Sequence, residues 1–225
     1  MLPLIFIAAA ALTAFSGQTI SETPEEILEA TSGRANPALW RTGDHNTTIY
    51  MLGTIHALPQ EVAWETDLIL DAFSEADLLI TEANVDSDEA IAETSAVILE
   101  EGFYLDGTKL SDLYTDEEHD DINDALAEFG LSLDKLGNMK PWMAVMALSG
   151  VMSAKAGMDP DYGVDTIVEG WAEEDGIPLK HFETAKEQAM IFVAVPENEQ
   201  RLFLTQTVDM EMSNAKIFAE MIGDW

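Results

Sequence analysis

The chain has no cysteine. Disulfides, a thiol nucleophile and a cysteine-held zinc are excluded together, so any metal must be taken by His, Asp, Glu or backbone oxygen. Basic residues are scarce too: 10 Lys and Arg stand against 43 Asp and Glu, a formal net charge of −33. Phosphate backbones and anionic lipids are bound through clustered cations, so no nucleic-acid partner is expected. Most of the carboxylates read instead as a solvated acidic surface. Glycine-rich phosphate loops of standard spacing, a nucleophile elbow and an H-E-x-x-H helix are all missing from the sequence. The acidic run D-P-D-Y-G-V-D (159–165) lacks the spacing and terminal glutamate of a calcium loop.

What is present suffices for a core. The 225 residues are 47% hydrophobic, which suits one domain with appendages and not a disordered chain. Residues Leu2 to Phe15 are apolar, short of the roughly 20 residues that a membrane helix needs. With small residues at Ala14 and Ser16 they fit a secretory signal cleaved after Ser16 or Gly17, or else a retained N-terminal anchor. The expected organisation is a signal peptide at 1–17, a polar lead-in at 18–37 and one domain at 38–225. The expected location is periplasmic or extracellular, with no membrane span after signal removal.

Along the domain, ALWRT (38–42) and TTIYML (47–52) flank the turn-rich tetrad Gly43-Asp44-His45-Asn46 and predict a β-hairpin. Helical spacing follows from Val62 to residue 77, then the short strand LLIT (78–81). A strand, loop, helix, strand unit normally gives two parallel neighbours. Helices are predicted at 87–101, 115–129 and 141–156, the last opened by Pro141 in its first turn. A helix over 162–176 is stopped by Gly176, IPLKHF (177–182) reads as a strand, and helix returns from Ala185 with a break at Pro196. The fold class is α/β: a mixed, largely parallel sheet flanked by helices, with an N-terminal hairpin.

Three side chains share a position in this plan. His56 lies in the loop after TIYML, Glu82 directly follows LLIT, and Glu183 directly follows IPLKHF. In open α/β sheets, ligands bind beyond the carboxyl ends of the parallel strands. One imidazole and two carboxylates gathered there could bind a divalent ion or activate a water as general base. Gly53 would let backbone pass close to whatever His56 touches. Blander roles exist for each: a hydrogen-bonded loop histidine for His56, a turn cap for Glu82, a helix cap for Glu183. His45 and His119 read as solvated, and His181, alternating with Phe182, as a core or supporting residue.

The succession ALW…TIYMLGTIHALP, ADLLITEAN, KPWMAV and YGVDTIVEGWAEEDGIPLKHFETAKEQ resembles the TraB/GumN family, which includes the Tiki proteases. The likeness covers roughly residues 38 to 206, and the ordered set of motifs is specific. It implies an α/β fold and a metal-dependent hydrolase, in the Tiki-like members a peptidase using manganese or cobalt, with zinc a further possibility. Carried over by motif, His56 and Glu82 become catalytic and metal-binding residues. Asp165 and Glu183 then line the pocket with Gly53, and Gln188 sits on the helix behind; the expected partner is a peptide or protein substrate. Two departures stand out: the family's second G-x-x-H element does not occur here, and Phe182 replaces the usual leucine. A domain lacking the family's last strand and helix is expected from this. The alternative to an enzyme is a catalytically impaired binding or regulatory relative.

Overall fold

The computed structural model describes residues 4–10, 35–85, 87–209, 222 and 225, with residues 4–10 described by their backbone only. The chain divides into two units. One comprises Met1–Asn84, Ala156–Glu183 and Asn214–Trp225, and the other Val85–Lys155 and Thr184–Ser213.

Among the described residues the first unit holds a five-stranded sheet. Strands β2 (Leu39–Gly43) and β3 (Thr48–Thr54) form the expected antiparallel hairpin, with Leu39 opposite Leu52 and Gly43 opposite Thr48. The Asp44 carboxylate closes the turn by accepting from the backbone N–H groups of Asn46 and Thr47 at 2.7 and 2.9 Å, as a short polar side chain does in an Asx turn. Strand β1 (Leu4–Ala10) and strands β4 (Leu78–Asn84) and β5 (Leu179–Thr184) complete the order β2-β3-β1-β4-β5.

Here the structure corrects one expectation. Strands β3 and β4 run in the same direction, because each pairs parallel with β1, but they are not neighbours. The strand–helix–strand pattern fixes direction and hand, and leaves open whether another segment enters between. Residues 4–10, read above as part of a signal, take that place. The cleavage position and the lead-in from 18 to 34 lie outside the described residues. Strand β5 runs alongside β4 in the same sense: Leu79 donates to the Pro178 carbonyl, and the Thr81 side chain meets that of His181.

Helices α1 (Asp67–Ser74) and α6 (Val164–Asp175) supply the unit's buried faces. Helix α1 begins five residues later than the periodicity suggested, because the Thr66 hydroxyl caps it by accepting from Ile69 N–H at 3.3 Å. Val62 and Trp64 are buried from the preceding loop instead. In α6, Val164, Val168 and Ala172 recur every four residues and are fully buried. Gly176 ends that helix in the left-handed conformation (φ 68°), which favours glycine. Trp171 stacks on Trp64 at 5.6 Å and meets Phe73 edge-on at 5.3 Å.

The second unit is helical: α2 (Asp88–Glu101), α3 (Asp116–Ala127), the single turn α4 (Leu133–Leu136), α5 (Pro141–Lys155), α7 (Ala185–Ala194) and α8 (Glu197–Asp209). The K-P-W motif seats α5 within it. Pro141 occupies the first turn, where it withholds no needed donor. The Trp142 backbone N–H donates to Gln200 Oε1 at 3.3 Å, and its indole donates to the Glu101 carbonyl at 3.1 Å. Among the described residues no helix is long and apolar enough to cross a membrane.

Candidate functional site

Strand β3 ends at Thr54, and the chain leaves through Ile55 and His56. Helix α6 is docked onto this exit by its own first residues. Val164 N–H donates to the Ile55 carbonyl at 3.0 Å. A Cβ on Gly163 would lie 2.2 Å from the His56 carbonyl oxygen, so only glycine allows the approach. The next residue but one, Asp165, then reaches the histidine.

Asp165 uses both oxygens. Oδ2 is 2.7 Å from His56 Nδ1, and Oδ1 accepts from the hydroxyl of buried Thr54 at 3.1 Å. An ionised carboxylate can only accept, so Nδ1 of His56 carries the hydrogen and Nε2 of the neutral ring offers its lone pair. That nitrogen stands 3.9 Å from Oε2 of Glu82, which lies within β4 near its carboxyl end and not in the loop after it. The His56 side chain is 59% exposed and that of Asp165 only 16%, so the orienting carboxylate is sheltered while the imidazole meets solvent. The bond to Asp165 holds the His56 pKa above its ordinary value; partial burial opposes this, and the charges of Asp165 and Glu82 add to it.

The structure therefore brings His56, Glu82 and Asp165 together. Glu183 lies half-buried at the end of β5 and, among the described residues, does not bond to His56 or Asp165. Nor does it cap α7: Thr184 and Glu187 do so by a reciprocal box, Thr184 N–H to Glu187 Oε2 at 2.9 Å and Glu187 N–H to Thr184 Oγ1 at 3.1 Å. Gln188 belongs to α7 in the helical unit. The close backbone approach expected at Gly53 is found at Gly163; among the described residues a Cβ on Gly53 would meet nothing nearer than 3.7 Å. The Gly53 carbonyl instead accepts from the Trp225 indole at 3.0 Å. Thr54 was not foreseen; its only signal is a hydroxyl two residues before the histidine, at the end of an apolar strand.

An imidazole held by a sheltered carboxylate, with Nε2 outward, can take a proton from water or give its lone pair to a cation. Among the described residues, no three His, Asp or Glu side chains are grouped closely enough to hold a metal ion.

A family model described as the TraB/PrgY/gumN family matches residues 38–225, starting one residue before the hairpin. The uncharacterized protein YbaP of Escherichia coli (strain K12) is 24% identical over 190 residues, covering 84% of this chain and 68% of that protein. Its Shigella flexneri counterpart matches to the same extent. No solved structure matches.

Proposed function

Because the chain belongs to the TraB/PrgY/gumN family, we propose that it is an exported hydrolase of peptide or protein substrates in which His56 is the base. The observation that carries this reading is the 2.7 Å bond from His56 to Asp165. It fixes the tautomer, turns Nε2 outward, and stabilises the imidazolium that forms when Nε2 takes a proton from an attacking water. Glu82, 3.9 Å from Nε2, adds to that stabilisation through its charge.

A divalent ion, manganese or cobalt before zinc, belongs to the proposal as its second part. Donor chemistry fits, since an imidazole nitrogen and a carboxylate oxygen face one another. Donor number does not: a catalytic ion commonly takes about three protein ligands. Asp165 has both oxygens engaged, and the described residues provide no group of three. No step is therefore drawn through an ion. The same count favours a second reading, a relative that binds its ligand at this site without turning it over.

The two readings part in one experiment. Peptide hydrolysis is measured for the 225-residue chain, His56→Ala and Asp165→Asn, each with and without chelator. Turnover lost in His56→Ala and reduced by about 10²-fold or more in Asp165→Asn supports the hydrolase; equal turnover in His56→Ala removes it. Chelator sensitivity decides the ion. Calorimetric manganese binding that His56→Ala abolishes, without turnover in any protein, assigns the chain to the binding reading.

A further inference from the structure

Helix α6 carries a second carboxylate, Glu169, one turn beyond Asp165, and the two share a helix face. Glu169 Oε1 accepts from the Thr81 hydroxyl at 2.6 Å. The same hydroxyl oxygen lies 2.8 Å from Nδ1 of His181 on β5, and that nitrogen is 3.9 Å from Glu169. A hydroxyl has a single proton to give. Thr81 gives it to Glu169, so its oxygen accepts from His181, whose Nδ1 must carry hydrogen. Thr81 is only 1% exposed, and a hydroxyl buried so deeply is costly unless it is paired. The residue types repeat those around Asp165, a strand threonine, a histidine and a carboxylate of α6, but here the hydroxyl and not the carboxylate stands between the other two. Thr81 stands immediately before Glu82 in the chain.

We propose that Thr81, Glu169 and His181 are positioning residues that hold the Glu82 carboxylate opposite His56. They pin the end of β4 to the helix that also pins His56, so one helix face sets both halves of the site. The inference rests on the reading above that His56 and Glu82 work as a pair, and it concerns their separation, which can be measured without turnover.

The test uses two matched pairs in the 225-residue chain. Thr81→Val keeps the shape and removes the hydroxyl, whereas Thr81→Ser keeps the hydroxyl. His181→Ala removes the donor, whereas His181→Gln keeps an N–H. Crystal structures report the distance from His56 Nε2 to Glu82 Oε2, and calorimetry reports manganese affinity. The expected result is a separation near 3.9 Å in Thr81→Ser and His181→Gln, and a widened one in Thr81→Val and His181→Ala. Manganese affinity falls by about tenfold or more in the second two only. A purely structural role would lower the unfolding midpoint of Thr81→Val and His181→Ala while leaving the separation at its wild-type value, and that result overturns the proposal. If the wild type binds no manganese, the ion is lost from the proposed function, but the distance still decides this one. If Thr81→Val does not fold, the His181 pair decides alone, at a side chain 21% exposed.

Discussion

Asp165 governs the site through charge as well as geometry. Its bond to Nδ1 is the largest cause of the raised His56 pKa, ahead of the charge of Glu82. Asp165→Asn is therefore expected to lower the His56 midpoint towards the ordinary 6.5, as followed by NMR titration of the ring; an unmoved midpoint would mean that the bond is not formed in solution. A raised folded-state pKa contributes stability that is fully present below pH 6.5 and is lost as pH rises through the folded value. The variant should lose that alkaline decline. Hydrolysis needs the neutral ring, so it should rise with pH through a midpoint above 6.5 in the wild type and through a lower one in Asp165→Asn. Gly163 gives a steric test of the same contact. A Cβ 2.2 Å from the His56 carbonyl must push α6 away, so Gly163→Ala is expected to cost about 1–3 kcal/mol in urea unfolding and to shift the His56 midpoint like Asp165→Asn. Position along the chain nominated His56, Glu82 and Glu183 alike, because each stands at or just after the carboxyl end of an apolar run, and the family motifs were needed to choose His56 and Glu82. Asp165 became visible only through a whole motif, since one aspartate in a helical first turn reads as dipole compensation. The hydroxyl of Thr54, two residues before His56, was too weak a signal, as a threonine inside a strand reads as β-propensity.

At the scale of elements, periodicity and punctuation located the hairpin, β4, β5 and the long helices, because each has an apolar face of the right period bounded by a cap, Gly or Pro. The misses have local causes. The five residues before α1 are apolar enough to mimic a helix, yet Thr66 caps it late. Strand order was not legible, since pairing with β1 is non-local and residues 4–10 read equally well as a signal. That placement has a consequence: a chain beginning at Gln18 lacks the strand that joins β3 to β4. Compared with the full chain, it should unfold at lower urea and associate with rising concentration, because exposed strand edges pair with other chains. Equal stability and a monomeric elution for both would show that β1 does not contribute to the sheet. In the helical unit, Gln200 joins α5 to the turn before α8, accepting from Trp142 N–H and donating to the Val195 carbonyl at 2.7 Å. Gln200 is 7% exposed, so Gln200→Ala leaves both partners unsatisfied and is expected to cost about 1–3 kcal/mol per orphaned group, read as a fall in urea midpoint.

The charge of the whole molecule sets its response to salt. With −33 net, self-repulsion opposes the folded state, in which the charges are held closer than in the unfolded chain. Attractive pairs offset little of this. The Lys and Arg ion pairs described, Lys140 with Glu101 at 3.4 Å and Arg201 with Glu118 at 3.5 Å, are both partly exposed, and such pairs are each worth about 0–1 kcal/mol. Screening should therefore relieve more repulsion than it removes attraction. Raising ionic strength from about 0.01 M to 1 M shortens the screening length from roughly 30 Å to 3 Å, so the thermal midpoint is expected to climb across that range in sodium chloride. Chloride is the proper salt, because sulfate also strengthens apolar burial by exclusion. A midpoint that falls with chloride would mean that local pairs outweigh the field of the acidic surface, and the solvated-surface reading of the carboxylates would have to be replaced by one in which many of them are bound.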